Sequence, residues 1–314
     1  MTDTQQHSVV AVHPGALGDV VLFGHLLAAL KGRRTLVAGG EKARLLAGLG
    51  VADAALDFDS LPMHEVFSET PPGECRLPGL LGRHDRLISC FGAGDARAER
   101  RLAELAGAAE AAFLPTRPPA EFKGHLLDLW CRALAIDGPP EPAPWSVSAA
   151  WRREAADTLK ALHLPACRPY VAIHPGAGAE NKCWPLDRFL AVARGLRDGG
   201  VGVVFVLGPV ERERWRDGRV ERIQEAFPVM PGEGLGVLAG VLSEAGGYLG
   251  NDSGVSHLAA AVGAPTVAMF GPTEPRHFRP IGRAVRVLAA GEITEIPAER
   301  ALGALGEMKG AGMG

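Results

Sequence analysis

The sequence predicts an α/β protein built on two doubly wound parallel sheets, and three observations predict it. Short apolar runs alternate with amphipathic segments along nearly the whole chain, the order that lays helices on both faces of a parallel sheet. The stretch Gly246–Pro275 (GGYLGNDSGVSHLAAAVGAPTVAMFGPTEP) reads strand, turn, helix, strand, a unit that requires parallel pairing. An apolar strand also feeds the same turn twice: Val9–Val12 runs into His13-Pro-Gly-Ala16, and Tyr170–Ile173 into His174-Pro-Gly-Ala177. This short echo suggests two halves built alike, each turning its first strand loop toward a ligand cleft.

In the first half, Ser8–Val12 is a buried strand that breaks at His13–Asp19, and a helix runs from Val20 to about Leu30. Thr35–Ala38 is the next strand and Glu41–Leu49 the next helix. Val51–Phe58 and Arg86–Cys90 read as further strands, Arg97–Ala108 as a charged helix and Ala111–Leu114 as the last strand. The interval Leu61–Arg83 is rich in proline and glycine and shows no period. Lys123–Ala135 has helical spacing, with Leu126, Leu127, Trp130 and Leu134 on one side. The proline-rich run Asp137–Trp145 is extended and semi-rigid. It marks a boundary between an N-terminal domain over residues 1–145 and a C-terminal domain over 146–314.

In the second half, Trp151–Leu162 is an amphipathic helix, Tyr170–Ile173 a strand, and Asp187–Arg197 a helix that Pro185 suits in its first turn. Val201–Leu207 is a strand closed by Gly208-Pro209, and Arg212–Glu225 reads as one charged helix. Gly234–Leu242 is a small apolar helix. Tyr248–Gly250 ends a strand, and Asn251–Gly254 turns into the small-residue helix His257–Val262. Gly263-Ala264-Pro265 stops that helix before the buried strand Thr266–Phe270. Val285–Leu288 is a final strand and Ile296–Met308 a C-terminal helix.

Composition narrows the function classes. A chain of 314 residues exceeds the usual single domain. Hydrophobic content of 47% and charged content of 22% are ordinary globular values. A net charge of −3 lacks the basic stripe of a nucleic-acid-binding protein. The five cysteines are scattered without a C-x-x-C pair, which argues for a reducing cytosol and against disulfides or structural zinc. The N-terminus has no signal-peptide pattern, and no run reaches the roughly 18 apolar residues of a membrane helix. The expected location is cytoplasmic, with peripheral contact at the inner membrane face left open.

Ligands of doubly wound sheets sit beyond the carboxyl ends of the strands, so the loops there supply the candidate residues. Gly15 and Gly18 let a ligand approach the backbone, and Asp19 opens a helix toward the cleft. The plainer reading of Asp19 is a carboxylate complementing the helix dipole, stabilising by under about 1 kcal/mol. Ser253 and Gly254 offer a hydroxyl and free amides at a helix N-terminus, a natural anion site. There the plainer reading is that Asp252 or Ser253 caps the helix. Lys182, in a strand-end loop, is placed to meet a phosphate as a point charge. Glu211 follows a strand where an acidic side chain accepts ribose hydroxyls, and Gly232-Glu233-Gly234 is placed to line a base slot. Neither G-x-G-x-x-G nor G-x-x-x-x-G-K-[ST] occurs, so dinucleotide and P-loop chemistry find no support. The Asp53, Asp57 and Asp59 cluster falls on a strand and its edge, and no metal or cofactor is expected.

Four segments in order then resemble glycosyltransferase family 9, the ADP-heptose:lipopolysaccharide heptosyltransferases and their relatives. They are Gly15-Ala-Leu-Gly-Asp-Val-Val21; His174-Pro-Gly-Ala177 with Lys182-x-Trp184-Pro185; Leu207-Gly-Pro-x-Glu211; and Asn251-Asp-Ser-Gly-x-x-His-Leu-Ala-Ala260 continuing to Phe270-Gly-Pro-Thr273. The resemblance implies a GT-B architecture, two Rossmann-like domains facing a cleft, and an inverting, metal-independent transfer. It implies that Asp19 is the general base and Lys182 the diphosphate-binding lysine. Glu211 becomes the ribose contact, and Asp252, Ser253, Gly254 and His257 the donor sugar and diphosphate loop. The implied partners are a nucleotide-sugar donor, an ADP-sugar favoured, and a lipid-linked glycan acceptor, with no nucleic acid. Leu61–Arg83 matches no acceptor-binding pattern. Two alternatives stand beside this reading: a non-catalytic nucleotide-sugar-binding protein and a UDP-sugar epimerase of GT-B type. For the epimerase, His13 and His174 are the pair to consider, although both flank Pro-Gly turns and suit a structural role.

Overall fold

The computed structural model describes residues 7–164, 169–232 and 234–311. Glu233, one of the nucleotide candidates, lies outside them. The chain divides into two compact units, Met1–Glu141 and Pro142–Gly314.

The first unit runs β1 (Ser8–Val12), α1 (Leu17–Ala28), β2 (Arg33–Ala38), α2 (Lys42–Gly48) and β3 (Ala54–Asp57). It continues with α3 (Leu77–Leu81), β4 (Arg86–Ser89), α4 (Ala96–Ala106), β5 (Glu110–Phe113) and α5 (Leu126–Ala133). All pairings are parallel, in the order β3-β2-β1-β4-β5. The order reverses beside β1, because the chain first steps outward through β2 and β3 and then returns to β4 on the other side. Val9–Val12 is buried on both faces, as a central parallel strand must be. Helix starts follow local chemistry: the Asp95 carboxylate accepts the Arg97 and Ala98 amides at 2.9 and 3.1 Å, and the His125 Nδ1 accepts the Leu127 amide at 3.3 Å.

The interval Leu61–Arg83 lacks a period because it is short 3₁₀ turns (Met63–Phe67 and Pro72–Glu74) followed by the five-residue α3. The Glu65 carboxylate ties it down by accepting the Arg76 and Leu77 amides at 3.0 and 2.9 Å. The aspartates near β3 are spent locally. Asp53 pairs with Arg34 at 3.2 Å, and Asp57 accepts from Gly40, Asp59 and Ser60.

The second unit runs α6 (Ala149–Ala161), β6 (Tyr170–His174), α7 (Leu186–Asp198), β7 (Gly202–Phe205), α8 (Pro209–Arg214) and α9 (Arg219–Gln224). Then come α10 (Leu235–Ser243), β8 (Gly247–Asn251), α11 (Gly254–Ala261), β9 (Thr266–Phe270), α12 (Pro275–Phe278), β10 (Val285–Ala289) and α13 (Ala298–Ala311). The sheet is parallel in the order β10-β9-β8-β6-β7, and a single bridge from Phe205 to Val229 adds a rudimentary edge beyond β7. With that edge included, this sheet also reverses direction beside its first strand, between β6 and β8. Ser256–Ala261 of α11 is buried, as its small residues predict.

One expectation fails here. The single charged helix over Arg212–Glu225 is two helices, α8 and α9, separated at Trp215–Gly218. The break exists because Trp215 turns inward to 6% exposure and carries the Arg219 guanidinium over its ring at 4.6 Å, while Gly218 takes φ +83°. A continuous helix satisfies neither requirement.

Candidate functional site

The loops at the carboxyl end of the second sheet converge through side-chain bonds. Asn251, the last residue of β8, is fully buried and holds three backbone groups. Its Nδ2 donates to the Pro175 and Gly176 carbonyls at 2.8 and 3.3 Å, and its Oδ1 accepts the Trp184 amide at 3.0 Å. The His-Pro-Gly-Ala loop after β6 and the loop that carries Lys182 are thereby fastened to the start of the Asp252-Ser-Gly turn. Trp184 anchors the far side, buried against Phe189 at 4.9 Å with its Nε1 donating to the Ile296 carbonyl at 2.8 Å.

Lys182 and Asp252 meet within this frame. The ammonium lies 2.8 Å from the Asp252 Oδ2, with side-chain exposures of 33% and 10%. The cation is held at the mouth of the turn, part open to solvent, while its partner carboxylate is nearly enclosed. Ser253 is the N-cap residue of α11, yet its side chain makes no capping bond; its Oγ lies 3.4 Å from the Ser256 Oγ. The first amides of α11 have no carbonyl inside the helix to meet, and the Ser253 hydroxyl does not close over them. The plainer expectation for Ser253 as a side-chain cap is thus not what the turn displays. His257 is buried one turn into α11.

Glu211 sits inside rather than on a surface. It is 5% exposed, its Oε2 accepts the Gly208 amide at 2.8 Å, and its Oε1 presses on the neighbouring loop. A Cβ on Gly176 would stand 1.9 Å from that oxygen, so glycine is required there by close approach. Gly232 is exposed, and its loop is tied to α8 where the Arg212 guanidinium donates to the Met230 carbonyl at 2.9 Å. His174 is buried with Nδ1 on the Val206 carbonyl at 2.9 Å, a structural assignment.

Gly15, Gly18 and Asp19 belong to the first unit, at the carboxyl end of β1. Asp19 is partly buried in the first turn of α1, and its Oδ2 accepts the Ala16 amide at 3.2 Å. It therefore performs the plainer helix-start role, and the bond leaves Oδ1 to other chemistry. Its charge reaches the Cys90 thiol beyond β4, which burial first and Asp19 second push up to about 12. Among the described residues no cluster of His, Cys, Asp and Glu suits a metal ion, and no helix is long and apolar enough to cross a membrane.

Asn251 is the site residue that motif reading passed over as part of a turn. A signal was present: a polar amide ends an otherwise apolar strand, where only a fully bonded side chain is tolerated.

The family model described as glycosyltransferase family 9 (heptosyltransferase) matches residues 120–307. Lipopolysaccharide heptosyltransferase 3 of Escherichia coli K12 is 30% identical over 136 residues, 42% of this chain and 40% of that protein. Lipopolysaccharide heptosyltransferase 1 of Pseudomonas aeruginosa is 34% identical over 115 residues, 37% and 32% of the two chains. The chain thus spans well under half the length of these curated relatives. Among solved structures, a glycosyl transferase family 9 protein from Veillonella parvula superposes with TM-score 0.79 at 20% identity over 99% of each chain. The E. coli ADP-heptose lps heptosyltransferase II does so with TM-score 0.74 at 19% identity over 97% of this chain and 99% of that one. At these identities the likeness speaks for the fold, two Rossmann-like α/β units of the GT-B class.

Proposed function

The chain belongs to glycosyltransferase family 9, and from that premise we propose that it is an inverting, metal-independent glycosyltransferase moving heptose from an ADP-heptose to a lipopolysaccharide-type glycan. The observation that carries the reading is the Lys182–Asp252 pair standing at the uncapped N-terminus of α11. A diphosphate there meets the first amides of a buried helix and an ammonium that it shares with the Asp252 carboxylate, donors suited to the charge of its departure. Preorganised donors of this kind matter most at a leaving group, where loss of one typically costs about 3 kcal/mol.

Asp19 is assigned the general-base role. The acceptor hydroxyl gives its proton to the carboxylate as its oxygen bonds to the anomeric carbon. The bond from that carbon to the diphosphate oxygen breaks with its electron pair, releasing ADP and inverting the centre. Glu211 through Oε1, Gly232 and Glu233 are assigned to the nucleotide, and His257 to the donor loop. The acceptor is a lipid-linked glycan met from the cytoplasm at the membrane surface.

The test separates capping from catalysis. Asp19→Asn keeps an oxygen for the Ala16 amide and removes the base. ADP release from ADP-heptose with a lipopolysaccharide-core acceptor is expected to fall about 10²- to 10⁴-fold, with ADP affinity and melting temperature unchanged. Undiminished turnover removes Asp19 from the mechanism, and a protein that binds ADP but never releases it from the sugar donor is the non-catalytic alternative.

A further inference from the structure

We infer that His13 is a positioning residue whose neutral imidazole, accepting the Gly15 amide on Nδ1, sets the turn that presents Asp19. The inference deepens the proposed function, since it concerns the loop assigned to the base. His13 ends the central strand of the first sheet, its amide donating to the Val37 carbonyl at 2.9 Å in continuation of the ladder. Its side chain is 1% exposed and lies among aromatic rings, Phe23 of α1 at 5.1 Å and Trp130 of α5 at 6.3 Å. The Trp130 indole N–H is committed elsewhere, to the Pro115 carbonyl at 2.8 Å.

The Gly15 amide donates to His13 Nδ1 at 3.1 Å. An N–H donates only to an unprotonated ring nitrogen, so the neutral ring carries its proton on Nε2. That atom is buried without a hydrogen-bond partner. As mere filling, such an imidazole is a poor choice beside leucine, because a buried unpaired N–H carries a desolvation cost that a hydrocarbon avoids. The acceptor at Nδ1 accounts for it.

The turn is gripped from two sides. A Cβ on Gly15 would stand 2.6 Å from the His13 Cε1 and 3.0 Å from the Asp19 Cβ, so the glycine is sandwiched between them. Successive amides are then bound by different side chains, Gly15 by the imidazole and Ala16 by the Asp19 carboxylate. Release of the first frees the turn against which the second is set. Burial and the Lys42 charge both favour the neutral ring that this geometry needs.

Two variants separate the roles. His13→Asn brings an amide oxygen close to the place of Nδ1, whereas His13→Leu fills the space and accepts nothing. In His13→Leu the Gly15 amide is expected to exchange with solvent at least about tenfold faster. ADP release from ADP-heptose is expected to fall about 10- to 100-fold, as for a displaced catalytic group, with ADP affinity unchanged. His13→Asn is expected to restore both. Equal Gly15 exchange in wild type and His13→Leu overturns the inference, and so does equal loss in both variants. Should neither variant fold, the ¹⁵N spectrum of the wild-type histidines decides, since a pyrrole-type Nδ1 on His13 refutes the assignment. Gly15 exchange and the ring spectrum do not depend on turnover, so they stand even if Asp19→Asn shows that the base lies elsewhere.

Discussion

Asn251→Asp changes almost no volume and reverses one hydrogen-bonding group. The Oδ1 bond to the Trp184 amide survives, while the amide nitrogen that serves the Pro175 and Gly176 carbonyls becomes an oxygen. At neutral pH a fully buried carboxylate then faces two carbonyl oxygens. Leaving those groups unsatisfied costs about 1–3 kcal/mol each, so a loss of about 2–6 kcal/mol is expected, against a total stability of about 5–15 kcal/mol. Protonation relieves part of it, because a carboxylic O–H donates to the Pro175 carbonyl. The folded-state pKa of the new group is therefore raised above about 3.9, its value in the unfolded chain. The folded form holds the proton more tightly, so the variant's deficit is smallest in acid and grows as pH rises above about 4 until it levels off at the folded pKa. Urea denaturation of both proteins at pH 5 and pH 8, followed by tryptophan fluorescence, reads this directly. A deficit below about 1 kcal/mol, or one that does not grow between those pH values, refutes the bracing role.

Lys182→Ala is expected to weaken ADP binding by about 10- to 100-fold, the worth of one charge-assisted bond, and to lower the melting temperature, because the nearly enclosed Asp252 carboxylate loses its partner. Titration calorimetry with ADP checks it. Burial first and the Lys42 charge second lower the His13 pKa from 6.5 to about 4. The unfolded chain thus takes up a proton at higher pH than the folded one. Folding stability contributed by the neutral ring is complete above pH 6.5 and declines as pH falls toward 4, by about 3 kcal/mol in all at about 1.4 kcal/mol per unit. The stability difference between wild type and His13→Asn, measured across that range, should shift by this amount; a constant difference contradicts it.

Much of the architecture was legible because parallel strands buried on both faces write themselves as runs such as Val9–Val12 and Thr266–Phe270, which no amphipathic helix imitates. The loops between them carried glycine, lysine and carboxylate at strand ends, and in the second unit those loops do converge. Other features had no local signature. The division of Arg212–Glu225 depends on the buried seat that Trp215 finds, a tertiary fact invisible to helical periodicity. Leu61–Arg83 reads as formless since its turns are set by one carboxylate, Glu65, gripping amides eleven and twelve residues away. Glu211 carries the charge that suggests a sugar contact, but only coordinates reveal how far the side chain is drawn in beneath Gly176. The small helix α12 (Pro275–Phe278) and the Phe205–Val229 bridge are too short to leave a pattern.

The Asn251 brace also dictates when a growing polypeptide can fasten the loops at the carboxyl end of its second sheet. Its partners lie 67 to 76 positions earlier in the chain, which at about 5–20 residues per second leaves the ribosome several seconds during which the earlier loops wait untethered. Assembly of this loop cluster is therefore a late event of synthesis, and a nascent chain released before β8 emerges carries the lysine without the asparagine and aspartate that hold it in place.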